Sequence, residues 1–389
     1  MSNKKQKKPF DFKKLPLIIL GAAAYLIVCG GLGWMLGSFT DTAAGGNDAL
    51  AFAYLMGALA LLIAAFFVQI ILHEAGHLVF GLLSGYQFVS FNVLGFIWQK
   101  GPDGKLHCGR MQIAGAGGQC LMSPPDYDEG RFPFTLYNLG GVIMNLVVSA
   151  VCLLLALITP QFPLLFLFLL ELTLVGVFFA LTNGLPIPVA AIQNDGKNLL
   201  CIRKDVHARR AFWVQMTIAA EITRGKRLKD MPDAWFAAYP EEAMENPIVS
   251  AIAVMNTSRL MDMLDFTAAE AAIRTLLARE KGLVGLYRMT MGCDGAVCEL
   301  IAGRPDDLTE SLSSKENQQL MKAMKTYPSM LRTQYAIALL RDRDADKADA
   351  LLADFEAAAR KHPNPQEIIG ERELLLAIQN AALNGGNAE

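Results

Sequence analysis

Two histidines four positions apart, with a glutamate beside the first, are the residues of this chain best suited to chemistry. They form the pentapeptide His73-Glu74-Ala75-Gly76-His77, inside a long apolar run. On a helix, residues four apart share one face, so both imidazoles can bind a single metal ion. Glu74 can then act as general base on a metal-bound water. The alternative is a pair of core histidines, which is disfavoured because buried polar side chains are costly without a shared role. The pattern therefore predicts a zinc site.

A catalytic zinc usually takes three protein ligands and a water, and the pentapeptide supplies only two. Asp195 is the best remaining acidic residue. It follows an apolar run that Pro186 interrupts, in the turn-forming sequence Asn194-Asp195-Gly196. By itself this segment is typical of a helix end followed by a loop. The missing ligand makes Asp195, held by a rigid loop, the predicted third zinc ligand.

The distribution of apolar residues predicts a membrane protein with a soluble C-terminal region. Of the 389 residues 53% are hydrophobic and 19% are charged, and the formal net charge is −2. The near-neutral charge gives no sign of a nucleic-acid partner. Seven cysteines without a Cys-x-x-Cys pair indicate reduced thiols. Four stretches are long enough to cross a bilayer, and we place them at about residues 15–39, 49–84, 132–159 and 164–185.

Lysine placement predicts the orientation of these spans. Six lysines lie in a basic tail over residues 1–14, whereas residues 40–48 and the turn near residue 161 have no lysine or arginine. Basic residues flank the cytoplasmic ends of membrane spans. We therefore expect a multi-pass protein of a bacterial cell membrane with both termini in the cytoplasm.

The segments outside the spans complete the predicted fold class. Aromatic and β-branched residues around a Gly-Pro-Asp-Gly turn predict a small β-hairpin over residues 86–113. Residues 201–389 form a predicted cytoplasmic α-helical domain that resembles tetratricopeptide-type helix pairs, without a strict repeat of about 34 residues. Its amphipathic segments are residues 208–224, 248–262, 268–279, 329–340 and 345–360. The chain is therefore predicted to be an all-α polytopic membrane protein with a hairpin insertion and a soluble helical domain.

Three motifs in residues 49–200 together resemble the site-2 protease family of intramembrane zinc metalloproteases. They occur in the family's order, each in or after a predicted span. The motifs are the pentapeptide of residues 73–77, Gly140-Gly141-x-x-x-Asn145, and Asn183-x-x-Pro186 with Asn194-Asp195-Gly196.

The resemblance implies a fold in the bilayer and an activity. His73, His77 and Asp195 would hold Zn²⁺, and Glu74 would activate water to hydrolyse a peptide bond in or near a transmembrane segment of a membrane-protein substrate. The residues that would hold the substrate backbone or its oxyanion are Asn145 and Asn183. In one departure from the family pattern, valine and not proline follows the glycine pair.

Two other classes of function are weighed against a protease. A catalytically silent membrane scaffold would use the helical C-terminal domain to bind a protein partner, but such a protein has no need of Glu74. A transporter with a metal path is disfavoured because four spans without inverted repeats do not fit that class.

The lysine distribution generates a prediction about topology. In a cysteine-free background, a membrane-impermeant thiol reagent added from outside should label Asp41→Cys and not Lys105→Cys. Labelling of both positions after the membrane is permeabilised serves as the control. The reverse pattern in intact cells would place the pentapeptide near the outer surface and contradict the predicted orientation.

Overall fold

A computed structural model of the chain describes residues 45–111, 117–128, 131–186, 194–203 and 205–386, with single positions between 30 and 42. Three of its helices are long and apolar enough to cross a membrane: α1 Asp48–Leu83, α2 Thr135–Ile158 and α3 Pro163–Gly184. They coincide within three residues with the predicted spans 49–84, 132–159 and 164–185. The basic tail 1–14 and almost all of the predicted first span, 15–39, lie outside the described residues.

Local sequence accounts for where these helices begin and end. The Asn47 side chain accepts a hydrogen bond from the Leu50 amide, which caps the start of α1. Pro163 is the first residue of α3, where a missing N–H costs nothing. Leu185 is extended because it precedes Pro186, which ends α3.

The predicted hairpin is one part of a larger sheet. The strands are β1 Gln87–Val93, β2 Phe96–Lys100, β3 Leu106–Arg110 and β4 Gly118–Ser123, in the antiparallel order β3-β2-β1-β4. The predicted turn at residues 100–105 joins β2 to β3, as expected. Two features were missed: β4, and a turn at Leu94-Gly95 that divides the predicted first strand into β1 and β2.

The rest of the described chain is mainly helical. The helices after α3 are α4 Asp195–Arg203, α5 Val206–Thr223, α6 Pro247–Asp262, α7 Phe266–Leu277, α8 Gly285–Ile301, α9 Asp307–Ser311, α10 Lys315–Ala323, α11 Pro328–Ala336 with a π-helical turn Ile337–Arg341, α12 Ala345–Ala359 and α13 Pro365–Gly386. The predicted amphipathic segments coincide with α5, α6, α7, α11 and α12, while α4, α8, α9, α10 and α13 were not predicted. Whether the helix pairs are of the tetratricopeptide type stays a prediction.

The contacts divide the chain into two compact units. The first holds α1 as far as His77, α2 from Asn138 and α3, with residues 193–198. The second holds residues 78–137, including the sheet, and the helices from Leu199 onward. The sheet, which lies between α1 and α2 in sequence, thus belongs by its packing to the C-terminal helices. Met122 of β4 and Tyr137, near the start of α2, join one hydrophobic core with residues of α5 and the later helices.

A buried ion cluster lies in the core of the second unit. The Arg332 side chain is only 3% exposed and forms ion pairs with Asp294 and, over 3.2 Å, with Glu371. One guanidinium group therefore pairs with two carboxyl groups, so its single positive charge cannot balance both if both are ionised. Burial raises the pKa of Glu371 to about 7, against the lowering effect of Arg332. The pKa of Asp294 is also raised by burial.

This cluster predicts a pH-dependent stability. Because the folded-state pKa of Glu371 is raised above its ordinary value, the folded chain binds more protons than the unfolded chain up to about pH 7. Its contribution to stability is therefore lost as the pH rises through this window. The melting temperature of the second unit should fall between pH 5 and pH 8, and Glu371→Gln should reduce that fall. The exposed Glu280→Gln is the control. An unchanged pH profile in Glu371→Gln would contradict the assignment.

Candidate metal centre

The three predicted zinc ligands lie together, inside the first unit. His73 Nε2 is 3.1 Å and His77 Nε2 is 3.4 Å from Asp195 Oδ2, and the two Nε2 atoms are 3.4 Å apart. When a metal ion is tetrahedrally coordinated, with bonds of about 2.0–2.1 Å to nitrogen and oxygen, its ligand atoms lie about 3.3 Å apart. The triangle has the dimensions of one face of such a tetrahedron, so these residues can hold a metal ion.

Two glycines hold α1 and α2 in close contact beside these ligands. A Cβ at Gly76 would lie 2.3 Å from the carbonyl oxygen of Gly140, and one at Gly140 would lie 2.6 Å from the carbonyl oxygen of Gly76. A Cβ at Gly141 would lie 2.5 Å from the imidazole of His73. Small residues allow such approaches between membrane helices. The glycine pair therefore brings the two backbones into contact, and Gly141 leaves the space that the His73 ring occupies.

A chain of buried hydrogen bonds orients His73. Its Nδ1 is 2.7 Å from Oδ1 of Asn145, while Nδ2 of Asn145 donates to the carbonyl oxygen and the side-chain Oε1 of Gln69. Gln69 in turn donates to the Leu172 carbonyl on α3 over 2.7 Å. Since Asn145 uses both amide hydrogens, its Oδ1 accepts from His73 Nδ1–H, which leaves the Nε2 lone pair for a metal.

This arrangement gives Asn145 a role that the sequence did not suggest. The side chain is fully buried, and both of its N–H groups are engaged by Gln69. The expected contact of Asn145 with a substrate stays a prediction. Its observed contacts make it a positioning residue for His73. Gln69 also belongs to the site, and its signal in the sequence is a polar residue four positions before His73 in an otherwise apolar run.

Asp195 was expected in a loop, but it is the first residue of helix α4. Asn194 caps this helix, because its Oδ1 accepts from the Lys197 amide. The Nδ2 of Asn194 donates to the carbonyls of Thr182 and Leu185, which ties α4 to the end of α3. Asn194 therefore fixes the position of Asp195, a role that its turn-forming character alone did not reveal.

Close backbone contact explains the glycine after Asp195. A Cβ at Gly196 would lie 1.9 Å from the carbonyl oxygen of Gly184, so only glycine fits.

Burial alone would raise the pKa of Asp195, but the facing imidazoles of His77 and His73 outweigh it and hold the pKa below its usual range. The first turn of a helix also favours an anion. Asp195 is therefore ionised.

The buried donor atoms need a cation among them. Among the residues that the structure describes, Asp195 Oδ2 has no hydrogen-bond partner although it is buried. The His73 ring, with its proton on Nδ1, turns a lone pair toward that oxygen. Lone pairs that converge in a buried site repel one another unless a cation lies between them. A metal ion or a proton satisfies this condition, and two nitrogens and one oxygen are a donor set that suits zinc.

Two further residues predicted for the site, Glu74 and Asn183, are characterised by their burial and hydrogen bonds. Glu74 is buried on α1, next in the chain to His73. Asn183 is half-buried and donates to the Phe179 carbonyl of its own helix, so its expected substrate contact stays a prediction. Glu171, in the middle of α3, is fully buried, and within the described chain neither carboxylate oxygen has a hydrogen-bond partner.

A second acidic group has metal-binding spacing but already has partners within the protein. Glu299, Asp306 and Asp307 come together in the second unit. Arg274 pairs with Glu299 over 2.6 Å and with Asp307 over 2.5 Å. Glu299 also accepts hydrogen bonds from the backbone amides of Asp306 and Thr309. These contacts account for the cluster without an ion.

No protein-family model, curated protein or solved structure matches this chain. A functional assignment must therefore come from the site itself.

The hydrogen-bond chain predicts that Asn145 contributes to metal affinity. Asn145→Leu leaves all three ligands in place but removes the acceptor for His73 Nδ1–H, and loss of such a partner typically weakens metal binding about 10–100-fold. Zinc competition with a chelator measures the effect. Ser149→Ala is the matched control, since Ser149 is buried one turn further along α2 and its hydroxyl has no hydrogen-bond partner in the described part of the chain. Equal zinc affinity in Asn145→Leu and wild type would exclude the positioning role.

Proposed function

We propose that this chain is an intramembrane zinc metalloprotease of the site-2 protease type. It would hydrolyse a peptide bond in or near a transmembrane segment of a membrane-protein substrate. The observation that carries the proposal is the triangle of His73, His77 and Asp195, with edges of 3.1–3.4 Å. The buried Glu74 follows His73 in the chain. A purely structural polar cluster would not need three metal-binding groups at this spacing.

The setting of the triangle supports chemistry inside a bilayer. Helix α1, which carries both histidines, exposes large apolar side chains along its length, as expected for a helix that faces lipid. Its 36 residues extend over about 54 Å. A site on such a helix is accessible to a substrate that is itself embedded in the membrane. The exposed apolar residues before the pentapeptide are Phe52, Leu55, Met56, Leu59, Ile63, Phe67 and Ile71.

The donor set supports zinc as the metal. Two imidazoles and one carboxylate leave a fourth position open, as in catalytic zinc sites, whereas structural sites are closed by four protein ligands. When bound there, zinc would lower the pKa of its water to about 7 and polarise the substrate carbonyl. Magnesium and calcium prefer all-oxygen sites, which this centre does not offer.

Glu74 would carry the proton transfers. Its carboxylate would accept a proton from the attacking water and deliver it to the nitrogen of the departing amine. Asn145 and Gln69 would hold the His73 ring in place, and Asn194 would hold Asp195. A helical substrate must unwind before its carbonyl can be attacked, because the amides of a helix are hydrogen-bonded internally.

The proposed location is a bacterial cell membrane, with both termini in the cytoplasm, from the lysine distribution of the sequence. The helical C-terminal domain is proposed to bind a protein partner, since the catalytic groups are complete by Asp195. A scaffold without catalytic activity is the competing function, and it would need neither the metal nor Glu74.

Replacement of the general base Glu74 distinguishes a protease from a scaffold without catalytic activity. Glu74→Gln removes the base but no metal ligand, so purified protein should keep its zinc and lose cleavage by about 10²–10⁴-fold or more. Zinc content and cleavage of a reconstituted membrane-protein substrate are measured on the same preparation. Glu171→Gln, a change at another buried glutamate of the membrane unit, should keep activity.

The outcomes of this experiment are distinct. Near wild-type cleavage by Glu74→Gln would exclude Glu74 as the base. Wild-type protein that binds zinc, yet yields no cleavage products in fragment proteomics of membrane proteins, would favour the scaffold.

A further inference from the structure

A large groove in the second unit lies between one end of the sheet and helices α11 and α12. It has a volume of about 820 Å³, within the roughly 300–1,000 Å³ usual for ligand sites. Leu94, Phe96 and Arg110 line it on the side of the sheet, and Lys325 and Lys361 line it on the side of the helices. We call this feature the hairpin groove, after the β1–β2 turn at its edge. Nothing in the proposed catalytic mechanism uses it.

The charges of the hairpin groove are unbalanced. Arg110, Lys325 and Lys361 are exposed cations, and in the part of the chain that the structure describes none of them has a carboxylate partner. Arg110 lies over the ring of Phe96, 5.0 Å from its centre. Asp354 is the one acidic side chain among the lining residues. The groove therefore favours a ligand that carries negative charge.

Its walls are mainly apolar. On the helical side the groove is lined by Leu331, Ala357 and Ala358, with Tyr327 and two prolines. On the sheet side, Leu94 and Phe96 are 42% and 47% exposed. Exposed apolar side chains that line a concave surface mark binding sites more often than those scattered singly. The ligand must therefore offer apolar groups as well as anionic ones.

Leu94 is the clearest sign that this surface has been shaped for binding. Its φ is +54°, and Gly95 follows with a φ of +81°. A two-residue hairpin turn with both angles positive strongly prefers Asn-Gly or Asp-Gly, because the left-handed region is unfavourable for leucine. The Leu94 side chain is 42% exposed, so much of it is left for a ligand to cover. Turn geometry does not explain a leucine here, and such strain often marks a functional site.

We propose that the hairpin groove binds an extended peptide segment of another protein, in which acidic and apolar side chains alternate. The carboxylates would pair with Arg110, Lys325 and Lys361, and an apolar side chain would pack on Leu94 and Phe96. A peptide can enter this concave surface, whereas the flat surface of a bilayer cannot. The proposal does not depend on proteolysis, because binding can occur whether or not the bound protein is cleaved.

Direct binding measurements test the proposal on the full-length chain. The protein is reconstituted in nanodiscs of phosphatidylcholine, and empty nanodiscs give the background. The ligands are fluorescein-labelled decapeptides that alternate glutamate or aspartate with leucine or phenylalanine. Fluorescence anisotropy should show saturable binding of at least one acidic peptide, and weaker binding of the same peptides with lysine in place of the acidic residues.

Leu94→Asn is the most informative variant. Asparagine suits the turn, so the variant should melt at the wild-type temperature or higher, and a loss of binding cannot be attributed to misfolding. Removal of a buried leucine contact should weaken acidic-peptide binding about tenfold or more. Leu106→Asn is the matched control, since this leucine is 59% exposed on β3 but does not line the groove. Unchanged affinity in Leu94→Asn would overturn the proposal.

Charge reversal provides an independent test. The pair Lys325→Glu and Lys361→Glu should lose the acidic peptides and gain the lysine-containing ones, while Lys105→Glu with Lys315→Glu, outside the groove, should change neither. If no acidic peptide binds wild-type protein better than its lysine counterpart, the proposal is wrong. It is also wrong if the groove variants differ from wild type only in nanodiscs with anionic lipid, because the cations would then serve the membrane surface.

Discussion

The first unit depends on the burial of two imidazoles and a carboxylate whose lone pairs point at one another. Such groups are costly inside an apolar protein unless each has a partner and the shared charge is balanced. The surrounding helices meet both requirements. Gly76, Gly140 and Gly141 let α1 and α2 approach until the His73 ring fits between them. The third donor comes from the start of α4, which Asn194 ties to α3.

The hydrogen-bond chain from His73 through Asn145 and Gln69 to Leu172 links three helices. Each such bond in a membrane contributes only about 0.6–2 kcal/mol, but a shift of one helix by a single turn would leave several buried groups unpaired. The chain therefore specifies the register of α1, α2 and α3 more than it adds to stability. It also sets the tautomer of His73, so the packing of the membrane helices and the chemistry proposed for the site depend on the same contacts.

The sequence predicted those parts of the structure that have strong local signals. Long apolar runs located three helices within a few residues, and the spacing of His73 and His77 located a metal site with Asp195. The prediction failed where tertiary contacts override local preference. Leu94 occupies a turn position that leucine rarely takes, so one strand was predicted where two exist. The role of Asn145 in orienting His73 was not predicted, because its bonds to Gln69 depend on how α1 and α2 cross. The substrate contact that the family resemblance implies for Asn145 stays a prediction.

Some residues of this chain are unfavourable for the local backbone conformation that they adopt, and they are of two kinds. Those of the first kind are required by packing, whereas those of the second kind are explained only by function. Gly141 and Gly196 weaken helices, yet each is explained by an atom that a side chain would strike. Leu94 has no such explanation, because asparagine would fit the turn better and the leucine side chain stays 42% exposed. Proteins keep unfavourable local choices mainly at functional sites, where the gain lies outside the folded chain. The gain at Leu94 must therefore come from a molecule that binds in the hairpin groove, and the unpaired cations beside it indicate the charge of that molecule.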